Sequence, residues 1–291
     1  MRQATDDPLV TVIVPSYNHA PYVEACIESI LGQTYPNIEL LVIDDGSTDD
    51  SVERIRRLQE RHGFDFRVQR NQGLLTTLND ALQRARGVYF APFASDDVML
   101  PERIERQVRH LQAHPEVAIC AGNVQAIDPE GRLVGKPRSS GATRRLDFDS
   151  LFLGTQDGAP APTLLLRRNV ALAVGGYDPS IRIEDLTMQL KMARAGYFVD
   201  VLGDVLALYR THPENMHRNL RFMLDEGLKI YALFADHPAY RRVCMAHRNS
   251  ILLKAAKLDK PLAWEILRQI PPAHWTRKTL RALLRLLLAR R

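Results

Sequence analysis

Val88-Tyr-Phe-Ala-Pro-Phe-Ala-Ser-Asp-Asp97 decides how this chain is read. It opens as an apolar run bounded by Gly87, too short for a free-standing helix, and so predicts a buried strand. The run then delivers two adjacent carboxylates, Asp96 and Asp97, before Pro101 starts a helical pattern. In open α/β sheets, ligands collect in the crevice outside the carboxyl ends of the strands. Two carboxylates there suit a divalent cation through hard oxygen ligands, and the cation in turn suits a diphosphate. Taken alone, the dipeptide reads more simply as a solvated turn capping the helix after it. The rest of the chain has to decide.

Upstream, Leu9-Val-Thr-Val-Ile-Val-Pro15 is an apolar strand ended by proline, followed by a Ser16-Tyr-Asn-His19 loop. Pro21 opens a helix whose apolar positions include Val23, Ile27, Ile30 and Leu31. Ile38–Asp44 is a second strand, and Asp45-Gly-Ser-Thr-Asp-Asp50 is both a turn and a helix N-terminus. Val52, Ile55 and Leu58 point that helix inward. Phe66–Gln69 is a short strand, and Leu74–Arg86 a helix with Leu74, Leu75, Leu78, Ala81 and Leu82 on one side. Strand and helix alternating at a spacing of about 30 residues predict a mostly parallel, doubly wound α/β sheet of Rossmann type. Downstream come a helix over 101–114, a strand over 117–121 and a turn at Asp128-Pro-Glu-Gly131. Residues 135–162, rich in Gly, Ser, Arg and Pro, read as a long loop over the sheet that would serve as a lid. Thr163–Arg167 is a strand, and Glu184–Gly196 a helix closed by glycine.

Composition sets the class. Of 291 residues, 45% are hydrophobic and 25% charged, as in an ordinary globular protein. The three cysteines, Cys26, Cys120 and Cys244, lack metal-ligand spacing and predict buried thiols in a reducing cytosol. The N-terminus has no apolar signal region, and no apolar stretch reaches the roughly 18 residues that a membrane span needs. The net charge of +5 hides an asymmetry. Residues 216–291 carry 16 Lys/Arg against 5 Asp/Glu, and residues 1–215 carry 23 against 29. We therefore expect one domain over 1–215 and a basic helical region over 216–291, suited to an anionic surface, membrane or nucleic acid.

Four features then fall on one edge of one sheet: Pro15-Ser-Tyr-Asn18, Asp44-Asp-Gly-Ser-Thr-Asp49, Asp96-Asp97 and Ile183-Glu-Asp185. In this order and spacing, residues 8–215 resemble the family 2 glycosyltransferases, which have a GT-A nucleotide-sugar-binding fold. The resemblance implies that Pro15 and Tyr17 flank the nucleotide base and that Asp44 accepts a hydrogen bond from its edge. A uracil or thymine N3–H is a donor, and a carboxylate is the strongest acceptor on offer. Asp44 would alternatively cap a helix. Asn79 falls near the expected ribose, or is a packing amide. Asp96 and Asp97 match the acidic motif, whose first carboxylate is replaced by Ala94. One would hold a divalent metal, Mn²⁺ or Mg²⁺, and the other the ribose or a metal-bound water, with Asp96 the favoured ligand. Asp185 matches the catalytic base of an inverting transfer; otherwise the Glu184-Asp185 pair complements a helix dipole. His212, in Tyr209-Arg-Thr-His212, would cover the diphosphate or complete the metal sphere, or is structural.

The tail from Trp275 to Arg291 stands outside that pattern. Leu280, Leu283, Leu284 and Leu287 recur at helical spacing, beside a stripe of Arg277, Arg281 and Arg285. This suits an anionic membrane surface, or leucines packed on the preceding helices. The resulting expectation is a cytoplasmic glycosyltransferase, peripheral at the inner face of the cytoplasmic membrane. It would take a UDP-sugar, or failing that a dTDP-sugar, to a saccharide or lipid-linked acceptor in envelope polysaccharide synthesis. The alternative is a non-catalytic nucleotide-sugar-binding module. A nicotinamide enzyme would need Gly-x-Gly-x-x-Gly after the first strand, and a sugar nucleotidyltransferase a Gly-rich basic loop; neither is present. Nucleic acid is not expected, since few aromatics interleave with the basic residues.

Overall fold

A computed structural model describes residues 7–137, 141–212 and 219–288. The expected boundary between 215 and 216 lies outside the described residues. The chain divides into two units, one over 1–151, 156–180 and 184–212, the other over 152–155, 181–183 and 213–291.

In the first unit β1 (Val10–Ser16), α1 (Val23–Leu31), β2 (Ile38–Asp44), α2 (Ser51–His62), β3 (Asp65–Val68), α3 (Leu74–Arg84) and β4 (Tyr89–Pro92) alternate as expected. Then come β5 (Val98–Met99), α4 (Arg103–Ala113), β6 (Val117–Ile127), β7 (Leu133–Val134), β8 (Arg144–Leu146), α5 (Phe148–Phe152), β9 (Leu165–Arg167), α6 (Arg168–Ala173), α7 (Glu184–Arg194) and β10 (Phe198–Arg210). The main sheet order is β3-β2-β1-β4-β9-β6-β10-β5, with β7 on β6 and β8 on β10. β1 runs parallel to β2 and β4, β2 to β3, and β6 to β10, while β9 lies antiparallel between β4 and β6. Two reversals restore direction, so β6 and β10 run the same way as β1. The carboxyl ends of β1, β2, β3, β4, β6 and β10 therefore share one edge.

Burial on both faces explains the apolar run of β1, in which Val10, Val12, Ile13 and Val14 are fully buried. Val12, Val14, Ile27, Ile55, Ala91, Phe93, Ile104 and Val117 belong to one core cluster. Gly87 is required before β4, because a Cβ there would meet the Thr11 backbone nitrogen at 2.5 Å. The expected loop over 135–162 is corrected: it contains β8, antiparallel to β10, and the short helix α5. Asp128–Gly131 does form a hairpin turn, with the Asp128 N–H donating to Arg132 O at 2.9 Å.

The second unit is built from α8 (Leu220–Ala232), α9 (Tyr240–Leu258), α10 (Lys260–Arg268) and α11 (Arg277–Leu288). Asn219 and Asp259 cap α8 and α10, accepting from the N–H groups of Phe222 and Leu262 at 3.0 Å each. Leu224, Leu252, Ala255, Leu262, Ile266 and Ala282 form its core. α11 turns Thr279, Ala282 and Leu286 inward and leaves Leu280, Leu284 and Leu287 between 54% and 70% exposed. Most of the expected leucine face is thus not packed on the preceding helices; only Leu283 is half-buried. Among the described residues no helix is long and apolar enough to cross a membrane.

Candidate active site

The loops after β1 and β2 are latched together at the shared edge. Asn18 takes a left-handed φ of 53°, which asparagine tolerates better than most residues. Its N–H donates to Ser47 Oγ at 2.8 Å, and its Oδ1 accepts from the Thr48 N–H at 2.8 Å. The His19 N–H donates to Ser51 Oγ at 3.0 Å and the Ala20 N–H to Asp49 Oδ2 at 3.0 Å. Pro15 pairs in register with Ile43 one residue before the end of β1, and Tyr17 stands 48% exposed. The buried Ser16 hydroxyl, paired in register with Asp44, has no hydrogen-bond partner among the described residues.

Asp44 is fully buried; its Oδ1 and Oδ2 accept from the Ser47 N–H at 2.8 Å and the Ser47 hydroxyl at 2.6 Å. Asp45 reaches the other way, accepting from the Gln72 and Gly73 N–H groups at 2.8 Å and so fixing the loop before α3. Asn79 spends both ends of its amide on Tyr177, donating to its carbonyl and accepting from its N–H at 2.8 Å each. That is the packing amide of the two readings open for it.

Around Asp96 polar and aromatic side chains cluster at the edge. His212, just past β10, places Nε2 3.0 Å from Asp96 Oδ2, and both residues are buried. His19 faces them, with donor atoms of His19, Asp96 and His212 all within 4.8 Å of one another. The Tyr22 ring stacks on His212 at 5.9 Å and meets His19 edge-on at 6.1 Å, while the Arg210 guanidinium lies over it at 4.7 Å. Asp97 is turned inward, its Oδ1 accepting the Arg210 N–H at 2.8 Å. Burial and the neighbouring Asp96 charge push its carboxyl well above the usual range. The converging donors are therefore Asp96, His212 and His19, without Asp97. Two imidazoles and a carboxylate are a sound donor set for a divalent ion. The sequence offered one signal for His19: a histidine behind a turn-forming asparagine, on the loop leaving the first strand.

Asp185 lies in the first turn of α7, the helix that precedes β10 in the chain. Its Oδ1 accepts the Leu186 N–H at 2.7 Å, and burial raises its carboxyl. Burial and the Asp185 charge raise Glu184 to about 7. A carboxylate raised in this way holds a proton more readily than an exposed one, as a general base requires.

The family model for Glycosyl transferase family 2 matches residues 11–171. The chain belongs to this family. A curated relative, the putative teichuronic acid biosynthesis glycosyltransferase TuaG of Bacillus subtilis, is 30% identical over 70% of this chain and 79% of its own length. Other curated glycosyltransferases extend further, the chain spanning 66% of one and 19% of another. Among solved structures, S. aureus TarS 1–349 in complex with UDP-GlcNAc matches at a TM-score of 0.68 and 16% identity, covering 91% of this chain and 82% of that one. The mannosyltransferase PcManGT from Pyrobaculum calidifontis, in complex with GDP-Man and Mn²⁺, matches at 0.64 and 20% identity over 99% and 89%. The glycosyltransferase 2 fold, GT-A, is thus that of this chain.

Proposed function

We propose that this family 2 glycosyltransferase binds a nucleoside-diphosphate sugar at the carboxyl edge of its sheet and transfers the sugar with inversion. The observation that carries the reading is the buried Asp96–His212 contact beyond the end of β4, and the acidic pair opening α7 supports it. Pro15 and Tyr17 flank the base, Asp44 accepts from it, and uridine is the favoured nucleoside over thymidine. Asp96 and His212 hold a divalent metal, which when bound supplies positive charge to the leaving diphosphate. Asp185 takes the proton from the acceptor hydroxyl as its oxygen attacks the anomeric carbon. The bond from that carbon to the diphosphate breaks, and the configuration inverts.

TarS and PcManGT are bound to nucleotide sugars and TuaG is named for polysaccharide synthesis, which supports this donor class and an envelope polysaccharide or lipid-linked acceptor. We place the protein in the cytoplasm, peripheral at an anionic membrane through residues 275–291. Ala94 favours one other reading, a non-catalytic nucleotide-sugar-binding module. A thermal-shift panel of UDP-, dTDP- and GDP-sugars, with Mn²⁺ or with EDTA, tests donor and metal together. A ligand at a hundredfold excess over its Kd stabilises the native state by about 2.7 kcal/mol. The UDP-sugar with Mn²⁺ gives the largest shift, and Asp96→Ala loses its metal-dependent part. An equal shift in EDTA overturns the metal, and a larger GDP-sugar shift overturns the nucleoside.

A further inference from the structure

We infer that His19 is a third protein donor to the metal, and that the His19–Asp96–His212 set selects a first-row transition ion over Mg²⁺. The inference rests on the metal reading above and adds the ion's identity. Only one carboxylate reaches the site from the loop after β4. Ala94 has no ligand to give, and its carbonyl accepts from Cys26 Sγ at 3.4 Å. Asp97 is committed to Arg210. The other two donors are imidazoles, with one ligand atom from each of the three residues inside 4.8 Å.

His19 is built for such a role. Its Nδ1 lies 2.7 Å from the hydroxyl of Ser95, which is buried to 1% exposure. When Nδ1–H donates to that oxygen, Nε2 is left with a free lone pair. Metal-bound histidines almost always have their second nitrogen engaged in this way, which fixes tautomer and ring orientation. Its backbone is held by the Ser51 hydroxyl, directly after the left-handed Asn18. Little ordering is left for a metal to impose.

Ligand chemistry sets the selectivity. Mg²⁺ demands near-octahedral oxygen coordination and dehydrates reluctantly. Imidazole suits later first-row ions, and two imidazoles with a carboxylate are a known set for divalent iron. This donor set favours the first-row ions over Mg²⁺, with intrinsic affinity rising from Mn²⁺ to Co²⁺ and Zn²⁺. The set carries one negative charge, so a bound divalent ion keeps positive charge for the diphosphate.

The test uses the full chain and the metal alone. Free Mn²⁺ is followed by its electron paramagnetic resonance signal, with Mg²⁺ as competitor, and thermal melting without metal confirms that each variant is folded. We expect the wild type to bind Mn²⁺ at least about tenfold more tightly than Mg²⁺. His19→Asn weakens Mn²⁺ at least about tenfold and narrows the preference, while UDP binding in EDTA is unchanged; Ser95→Ala, which removes only the orienting oxygen, weakens it by a smaller factor. Ala94→Asp placed in His19→Asn restores metal binding with Mg²⁺ now accepted. If His19→Asn, folded, binds Mn²⁺ as the wild type does, His19 is not a donor, and the Asp96–His212 reading stands without it. If the wild type prefers Mg²⁺, the selectivity is overturned. If the wild type binds neither ion, with or without UDP, the metal reading itself falls.

Discussion

Glu184 and Asp185 sit side by side in the first turn of α7, and burial raises both carboxyls, Glu184 to about 7. Two such adjacent carboxyls disfavour being ionised together, and in our assignment Asp185 is the one that stays ionised as the base. Asp185→Asn keeps the size and loses the proton acceptor, so kcat should fall at least about a hundredfold with UDP affinity kept. Glu184→Gln should leave kcat at pH 7 within a few-fold of wild type. Near-normal transfer by Asp185→Asn would move the role to its neighbour. The stability sign follows from the same shift: an acid raised on folding costs stability increasingly as pH rises through its folded value. Glu184→Gln should therefore raise the melting temperature more at pH 8.5 than at pH 5. Both residues were legible as an acidic pair at a helix start, whereas their raised protonation was not, because that depends on what packs around the turn. The same limit hid Asn79 and Asp97. Their types suited a ligand, and only the fold shows them spent on Tyr177 and Arg210.

β10 is the strand whose existence was hardest to see. Phe198–Arg210 has Gly203-Asp204 at its middle, which reads as a turn, and its pairing with β6 shifts register between Val201 and Val205. A bulge spoils the alternation from which strands are recognised. β8 and α5 escaped for another reason: three and five residues are too few to show a period. The repeating units from β1 to β4 were legible because each strand is buried on both faces and each helix carries one apolar stripe. β10 matters because it delivers Arg210 and His212 to the site, and an ion pair on the buried Asp200 carboxylate anchors its far end. Asp200 accepts from Arg145 Nε and Nη2 at 2.9 Å each and lies 2.8 Å from His110 Nε2. Burial alone would raise Asp200, but the His110 and Arg145 bonds outweigh it and hold the carboxyl below its usual value. Asp200→Asn should cost about 1.5–3 kcal/mol, the worth of hydrogen bonds to a charged group. A depressed acid contributes stability above its unfolded value and loses it as pH falls through the folded one. The gap between wild type and variant in urea unfolding should accordingly be widest at pH 7 and shrink toward pH 3. A gap that does not vary with pH would mean that packing, not charge, is what Asp200 contributes.

The chain carries its charge unevenly, 16 basic against 5 acidic residues over 216–291 and 23 against 29 before them. In the second unit α11 shows what the excess accompanies. Leu280, Leu284 and Leu287 lie on its exposed side, with Arg277 and Arg281 also exposed, while Thr279, Ala282 and Leu286 hold the helix to the core. The Arg285 guanidinium donates to Leu253 O at 3.0 Å, and Trp275 Nε1–H to Ile270 O at 3.1 Å, so both ends are tied to their own unit. An exposed apolar row beside cations is what an interfacial helix presents to lipid. Each basic residue near an anionic surface contributes about 1 kcal/mol, and apolar burial adds to that. Deleting residues 275–291 would test this poorly, because it strips Ala282 and Leu286 from the core and would unfold the unit for an unrelated reason. Substituting serine at Leu280, Leu284 and Leu287 together changes only exposed side chains. That variant should keep its melting temperature and its hydrolysis of the sugar nucleotide, yet lose at least about tenfold in sedimentation with anionic liposomes. Raising salt to 0.5 M should weaken wild-type binding, because the arginine attraction is screened over less than about 8 Å. Unchanged sedimentation of the serine variant would show that the leucine row does not meet lipid.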